Sequence, residues 1–312
     1  NYRKDIKGIK AAVMMVHGLN DTNVKPSNVK ALYDALQKLP VESKLILHQG
    51  QHIYINAFQS LDFSEMANLW LANKLWDIDN QADRVLPKVL VQDNAPPETW
   101  TAYDHWTAGQ ALTLHLDEHA LIDGDVHVAK EVIFNDHHDD DTYQAWCKDP
   151  AKWQAALFAD PGHFSHHFTS QPAKQDLLLR GTPRVSLSVA SSSDHGLLSA
   201  ELIDLGHDRR LTTSPVIINR SGLRLGYHWA SDDLREFRLQ KKPTDYKVIA
   251  RGHINLQNRH DAATVDPLAP HELVNVSFAL QPIFHRLVAG HRLGLIIYAT
   301  DYAFTLQGNE DI

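Results

Sequence analysis

Hydrophobic residues recur with one period at the start of this chain and with another through the remainder, and one layer of secondary structure cannot satisfy both. Ala11 to Val16 is an unbroken apolar run of strand length, the kind that a parallel sheet buries on both faces. It ends at His17 and Gly18. Pro26 then opens a helical pattern in which Val29, Leu32, Tyr33, Leu36 and Leu39 share a face, until Pro40 stops it. A second run, Leu45 to Leu47, completes a strand–helix–strand order, a βαβ unit whose crossover is expected to be right-handed. A further helical stretch sets Met66, Leu69, Trp70 and Trp76 towards one side and gives way to the polar segment Asp77 to Asp83, read as a linker.

From about Val85 the period becomes 2. Leu112, Leu114 and Leu116 alternate with Thr113 and His115, Val185 to Val189 with Ser186 and Ser188, and Val274 to Leu280 with Asn275, Ser277 and Ala279. Leu293, Leu295 and Ile297 close the series. Such strands have one dry and one polar face, and many of them between Gly, Pro and Asp turns predict a β-sandwich, a jelly roll. Tyr143 to Phe158 reads as one helix with Trp146, Trp153, Leu157 and Phe158 on its apolar positions, an insertion on a sandwich edge. The expected division is therefore an α/β segment over residues 1–80 and a β domain over 85–312. A length of 312 residues agrees, because a single core rarely grows beyond roughly 250 to 300 residues.

Composition narrows the partners. Thirty Lys and Arg against 38 Asp and Glu give a net charge of −8, which argues against a nucleic-acid or anionic-membrane surface. No apolar run approaches the roughly 20 residues of a membrane span, and the single Cys147 excludes an internal disulfide, so the expected compartment is the cytoplasm. The chain begins Asn1-Tyr2-Arg3 with neither an initiator Met nor an apolar leader, and is expected to be a piece of a longer protein.

In open α/β sheets, reactive groups collect in the loops at the carboxyl ends of the strands. Asp21 follows the first predicted strand in His17-Gly18-Leu19-Asn20-Asp21, and His52 follows the second in His48-Gln49-Gly50-Gln51-His52. Adjacent strands lie about 5 Å apart, so these loops can join a carboxylate to an imidazole that is distant in sequence. This is the acid-then-base order of an α/β-hydrolase, in which the carboxylate fixes the histidine tautomer and stabilises the imidazolium. The alternative is that Asp21 only caps a turn and His52 is an ordinary loop histidine. His17 and His48 sit nearer their strands and are read as scaffold. No Gly-x-Ser-x-Gly elbow occurs in the sequence, so the nucleophile and oxyanion hole are expected upstream.

Val16-His17-Gly18-Leu19-Asn20-Asp21-Thr22-Asn23-Val24-Lys25, followed by Gln51-His52 after a strand, resembles the region around the catalytic Asp and His of the Xaa-Pro dipeptidyl-peptidases of lactic acid bacteria. Gly181-Thr182-Pro183-Arg184-Val185, Leu198-Ser199-Ala200-Glu201-Leu202-Ile203-Asp204 and Gly290-His291-Arg292-Leu293 resemble that family's C-terminal domain, and are shared with the wider cocaine-esterase-like acyl hydrolases. The resemblance implies the C-terminal portion of an α/β-hydrolase domain followed by a jelly-roll, galactose-binding-like β-sandwich. It further implies a serine exopeptidase that releases Xaa-Pro dipeptides from proline-containing peptides, needs no cofactor or metal and works as a cytoplasmic homodimer. By motif match, Asp21 is the triad acid and His52 the general base, and this piece alone is expected to be inactive. A cocaine-esterase-like ester or amide hydrolase is the runner-up, and a carbohydrate- or protein-binding module comes third.

Other clusters are weaker. Asp136-His137-His138-Asp139-Asp140-Asp141 has metal-ligand residue types, yet a consecutive run does not place four ligands on one ion, and a solvated loop is the expectation. His163, His166 and His167, beside Pro161-Gly162, are read as a polar turn. Trp100, Trp106 and Trp229 are the candidate sugar-stacking platforms, with burial in a core as the alternative.

Overall fold

A computed structural model describes residues 2–107, 109–124, 131–133, 135–136, 138–159, 164–220 and 233–305. His137, Pro161, Gly162, His163 and Trp229 of the clusters above lie outside the described residues. In chain order, β1 (Val13–Gly18), α1 (Pro26–Leu36), β2 (Ser43–His48), α2 (Phe63–Trp76), α3 (Ala82–Val85), β3 (Val89–Gln92) and β4 (Trp100–Tyr103) come first. Then follow β5 (His115–Asp117), β6 (Ala120–Ile122), α4 (Asp140–Lys148), α5 (Pro150–Ala159), β7 (Ser165–Ser170), β8 (Leu177–Gly181), β9 (Arg184–Val189) and β10 (Leu197–Asp208). The remainder is β11 (Val216–Asn219), β12 (Leu234–Glu236), β13 (Thr244–Asn255), β14 (Val274–Ala279), β15 (Ile283–Leu287) and β16 (Arg292–Tyr298). Mixed sheets with few helices are the result. Among the described residues no helix is long and apolar enough to cross a membrane.

The first sheet has the order β1-β2-β3-β4, with β1, β2 and β3 parallel and β4 antiparallel. Pro26 at the first turn of α1 supplies the fixed φ of a helix start, and Val29, Tyr33 and Leu36 bury one stripe against Met15, Leu45 and Leu47. Asp62 caps α2 by accepting from the Glu65 N–H at 2.9 Å. The change of period at Val85 does not mark the end of this sheet. Val89, Leu90, Val91 and Gln92 are all buried, because β3 is covered on both faces, so the run carries no alternation to read. Nor is Asp77 to Asp83 a loose linker: Asn80 Nδ2 donates to Leu69 O at 2.8 Å, and Ala82 is buried with Trp70 and Leu86.

The larger sheet has six strands in the order β13-β10-β16-β7-β6-β5. The antiparallel pairs β9–β14 and β8–β15 contribute Val185, Phe278, Val276, Ile283 and Leu287 to a core that also holds Leu202, Leu295 and Ile297 of the sheet. The expected dry face and polar face hold for β14, where burial alternates, but not for β16, which is buried on both faces. The reason is the helical segment. It packs on the face of the sheet and not on an edge, with Trp146, Trp153 and Leu157 clustered against Ile203, Ile296 and Tyr298 of β10 and β16. It is also two helices, broken at Asp149-Pro150, since a proline ring obstructs the carbonyl of the preceding turn and ends one helix while opening the next. The alternating run from Leu112 contributes strand only from His115.

The two parts of the chain meet over β15. Arg286 donates from Nη2 and Nε to Asp93 Oδ2 at 2.6 and 2.9 Å, while its N–H and C=O pair with the Asn94 amide at 2.6 and 3.0 Å. Trp106 Nε1 donates to Ile283 O at 3.0 Å.

Trp153 is fully buried between the helices and the large sheet, 5.5 Å from the Tyr298 ring centroid and 6.0 Å from that of Tyr302. Trp153→Ala should therefore lower unfolding stability by about 3–5 kcal/mol, the range for truncating a large aromatic in a core. Urea unfolding checks this, and a loss below about 1 kcal/mol would show that the helices do not depend on that ring.

Candidate active site

Hydrogen bonds between backbone groups bring the loops after β1 and β2 together. β1 pairs with β2 in parallel register as far as Gly18 opposite His48. The contact continues past the strands: Leu19 N–H donates to His48 O at 2.8 Å, Asn20 N–H to Gly50 O at 3.2 Å, and Asn20 Nδ2 to Gln49 O at 2.7 Å. A Cβ at residue 18 would lie 2.3 Å from Gly50 O and 2.4 Å from Gln51 O, so only glycine permits this approach.

Asp21 and His52 meet across this junction. Asp21 Oδ2 lies 2.9 Å from His52 Nδ1, and Asp21 Oδ1 accepts from the backbone N–H groups of Asn23 and Val24, each at 2.9 Å. Burial pushes the Asp21 carboxyl up, but the bonds from His52, Val24 and Asn23 outweigh it and hold the group below its ordinary value. Asp21 is thus a carboxylate near neutral pH and can only accept, so the proton of a neutral His52 resides on Nδ1 and the lone pair on Nε2. The imidazole is 64% exposed against 3% for the carboxylate, which leaves a base open to a reacting group and backed by a buried charge. Turn capping by Asp21 and its bond to His52 coexist: one oxygen serves each.

The neighbouring histidines are scaffold. His48 is buried, and its Nδ1 accepts from the Gly50 N–H at 3.1 Å, which is possible only for the unprotonated nitrogen. Burial, aided by His17, pushes it down to about 4. His17 is half-buried and likewise lowered by burial, and its Nε2 has no partner among the described residues. The sequence reading passed over Gln49 and Gln92. Both are buried and pair twice, Gln49 N–H with Gln92 Oε1 at 3.0 Å and Gln49 Nε2 with Gln92 O at 2.9 Å. Gln92 ends β3, and so occupies the same carboxyl-end position that singled out Asp21 and His52.

The other clusters have structural tasks. Asp139 caps α4 through Thr142, Asp136 accepts from Thr300 Oγ1 at 2.6 Å, and His138 lies edge-on to Trp146 and Phe164 instead of in a solvated loop. His166 and His167 belong to β7, not to a turn, and each ring contacts a backbone carbonyl, of Glu118 and Leu157 respectively. Among the described residues no group of three or more His, Cys, Asp or Glu is placed to hold a metal ion. Trp106 is fully buried with Tyr33 and Phe284, and Trp100 donates to Ser60 Oγ at 2.9 Å, so neither forms an open platform.

Comparison with known proteins adds a family to this geometry. Residues 80–311 match the model of the X-Pro dipeptidyl-peptidase C-terminal non-catalytic domain, and residues 1–54, which include Asp21 and His52, match that of the X-Pro dipeptidyl-peptidase S15 family. Proteins named Xaa-Pro dipeptidyl-peptidase from Pediococcus pentosaceus, Ligilactobacillus salivarius and Lactiplantibacillus plantarum are 44%, 45% and 46% identical over the whole of this chain. The chain spans only 40%, 39% and 39% of their respective lengths. The fold is shared with an α-amino acid ester hydrolase (TM-score 0.61, 17% identity, covering 97% of this chain and 50% of that one). A CocE/NonD family hydrolase from Staphylococcus aureus shares it too (TM-score 0.63, 14% identity, 97% and 49%).

The His48 environment fixes a pH dependence. Its folded-state value of about 4 lies below the ordinary value of 6.5 that the unfolded chain keeps, so between these limits the unfolded chain holds a proton that the folded chain does not. Stability should therefore fall as pH drops from 6.5 to 4, by on the order of 3 kcal/mol from this residue. In urea unfolding at pH 7 and pH 5, the wild type should lose more than His48→Gln. Equal losses would contradict a neutral, buried His48.

Proposed function

The chain belongs to the X-Pro dipeptidyl-peptidase family, and from that membership we propose that it is the C-terminal part of a serine exopeptidase that removes Xaa-Pro dipeptides from the N-termini of proline-containing peptides. The observation that carries the reading is the Asp21–His52 hydrogen bond at the ends of neighbouring parallel strands, inside the S15-matching region. In this proposal β1 to β4, which run past residue 80 as far as Tyr103, complete the sheet of an α/β-hydrolase, and the strands from β5 onward form a jelly-roll β-sandwich that abuts it. The nucleophilic Ser would lie in the part of a longer protein that corresponds to the relatives' unmatched length.

His52 Nε2 would take the Ser hydroxyl proton as the oxygen attacks the carbonyl of the proline residue, and return it to the leaving amine. Water would then hydrolyse the acyl-enzyme, with His52 again as base. Asp21 would hold the Nδ1–H tautomer and stabilise the imidazolium. The cytoplasmic location and the homodimer implied by the resemblance remain part of the proposal. The ester-hydrolase alternative has fold likeness alone behind it.

Release of p-nitroaniline from Gly-Pro and Ala-Pro p-nitroanilides tests the assignment, with a simple ester assayed alongside. The 312-residue chain should show no turnover, whereas the longer protein should cleave the amides. In that protein Asp21→Asn should lower kcat by on the order of 10⁴-fold, the loss seen when the carboxylate of a Ser-His-Asp triad becomes an amide. His52→Ala should be at least as severe. Near-normal kcat in Asp21→Asn, or turnover by the chain alone, would show that other residues act.

A further inference from the structure

The loop that carries His52 leaves β2 at Gln49 and runs without regular structure to Asp62, the cap of α2. Its imidazole is mostly exposed, so packing around the ring does not fix it. Asn20 and Asp21 hold the loop at Gly50 and His52, and Ile55 and Phe58 are buried in the core, while both ends of the loop reach one and the same carboxylate. At the near end Gln49 is held twice by Gln92, whose Nε2 donates in turn to Pro97 O at 2.7 Å and to Glu236 Oε1 at 3.3 Å. At the far end the Ser60 N–H donates to Glu236 Oε2 at 3.1 Å. Next to it the Gln59 N–H donates to Arg235 O at 3.0 Å and the Arg235 N–H to Ala57 O at 2.8 Å, so the far end lies along β12. Gln49, Gln92 and Glu236 are all buried.

We propose that Glu236 is a positioning residue for His52, tying both ends of the His52 loop to β12, within the stretch that matches the non-catalytic domain. The inference rests on the reading of His52 as general base. Its chemistry is specific to a carboxylate. Glu236 receives Gln92 Nε2 and the Phe237 N–H on one oxygen, the latter at 3.0 Å, and the Ser60 N–H on the other. An amide of the same shape has one accepting oxygen, so its NH₂ would face a donor at one of the two ends. That end would lose its anchor and leave a buried N–H unsatisfied. A reacting group displaced by about 1 Å can lose about 100-fold in rate even when the altered residue is remote.

The test uses the longer protein and the p-nitroanilide assay, with folding followed by circular dichroism. Glu236→Gln should lower kcat by about 10- to 100-fold and leave KM within about twofold, because the loop and not the substrate site is altered. Gln92→Glu, which sets a second carboxylate against Glu236, breaks the same tie from the other side and should act alike if Glu236→Gln fails to fold. Trp106→Phe removes a different bond between the two parts of the chain and should leave kcat unchanged. In the 312-residue chain, the low-field Nδ1–H proton resonance of His52, identified by its loss in Asp21→Ala, should broaden or disappear in Glu236→Gln. Loss of turnover in His52→Ala, with kcat near wild type in a folded Glu236→Gln, would overturn the proposal alone. So would a loss in Trp106→Phe equal to that in Glu236→Gln. Near-normal turnover in His52→Ala would overturn the general-base reading and this proposal with it.

Discussion

Gly18, the last residue of β1, passes so near the carbonyls of Gly50 and Gln51 that a side chain cannot be placed between them. That approach is the parallel register of β1 and β2 carried beyond the ends of the strands, and it decides where the next residues fall. Asp21 turns inward, where its carboxylate is buried and held by two backbone N–H groups. His52, on the facing loop, reaches it with Nδ1 and keeps its other face in the open. The charge is inside and the imidazole is outside, the division that a proton-transfer pair would need: a buried partner to set the tautomer and an exposed one to exchange the proton.

Burial on both sides of a strand recurs as an organising device and also limits what a sequence reveals. β1 and β2 were legible because a short apolar run between helix signals has few other readings, and the loops after them then pointed to Asp21 and His52. β3 has the same character, but it follows the polar stretch at Asp77 to Asp83 and precedes an alternating region, so its membership of the first sheet was not visible. That omission hid Gln92, which would otherwise have stood beside Asp21 and His52 as a third carboxyl-end residue. The alternating strands β9 and β14 were readable for the opposite reason: one face stays in water and leaves a polar residue at every second position. β16 departed from that pattern because two helices cover its second face. Glu236 gave no signal at all, since a lone glutamate near a short strand resembles surface chemistry until its partners are seen.

The junction between the two parts of the chain joins the site to the rest of the fold. Arg286 with Asp93 and Asn94, Trp106 with Ile283, and Glu236 with Gln92 and Ser60 all cross it. β3 and the loop after it thus meet the start of the His52-bearing loop through Gln49 and reach β12 and β15 through Glu236 and Arg286. A buried polar network is stable only when every member is satisfied, and Gln92 meets that condition with its carbonyl accepting from Gln49 and its NH₂ donating to Pro97 and Glu236. The second part of the chain is therefore in hydrogen-bonded continuity with the loop of the first that carries His52.

In the proposed function His52 is the base for a nucleophilic serine of the longer protein. A crystal structure of the longer protein after covalent reaction with an Xaa-Pro phosphonate would show whether it is. The expected result is a phosphonylated serine whose Oγ lies about 2.6–3.2 Å from His52 Nε2, with Asp21 still on Nδ1. A modified serine bonded to a different histidine, with His52 facing solvent, would contradict it.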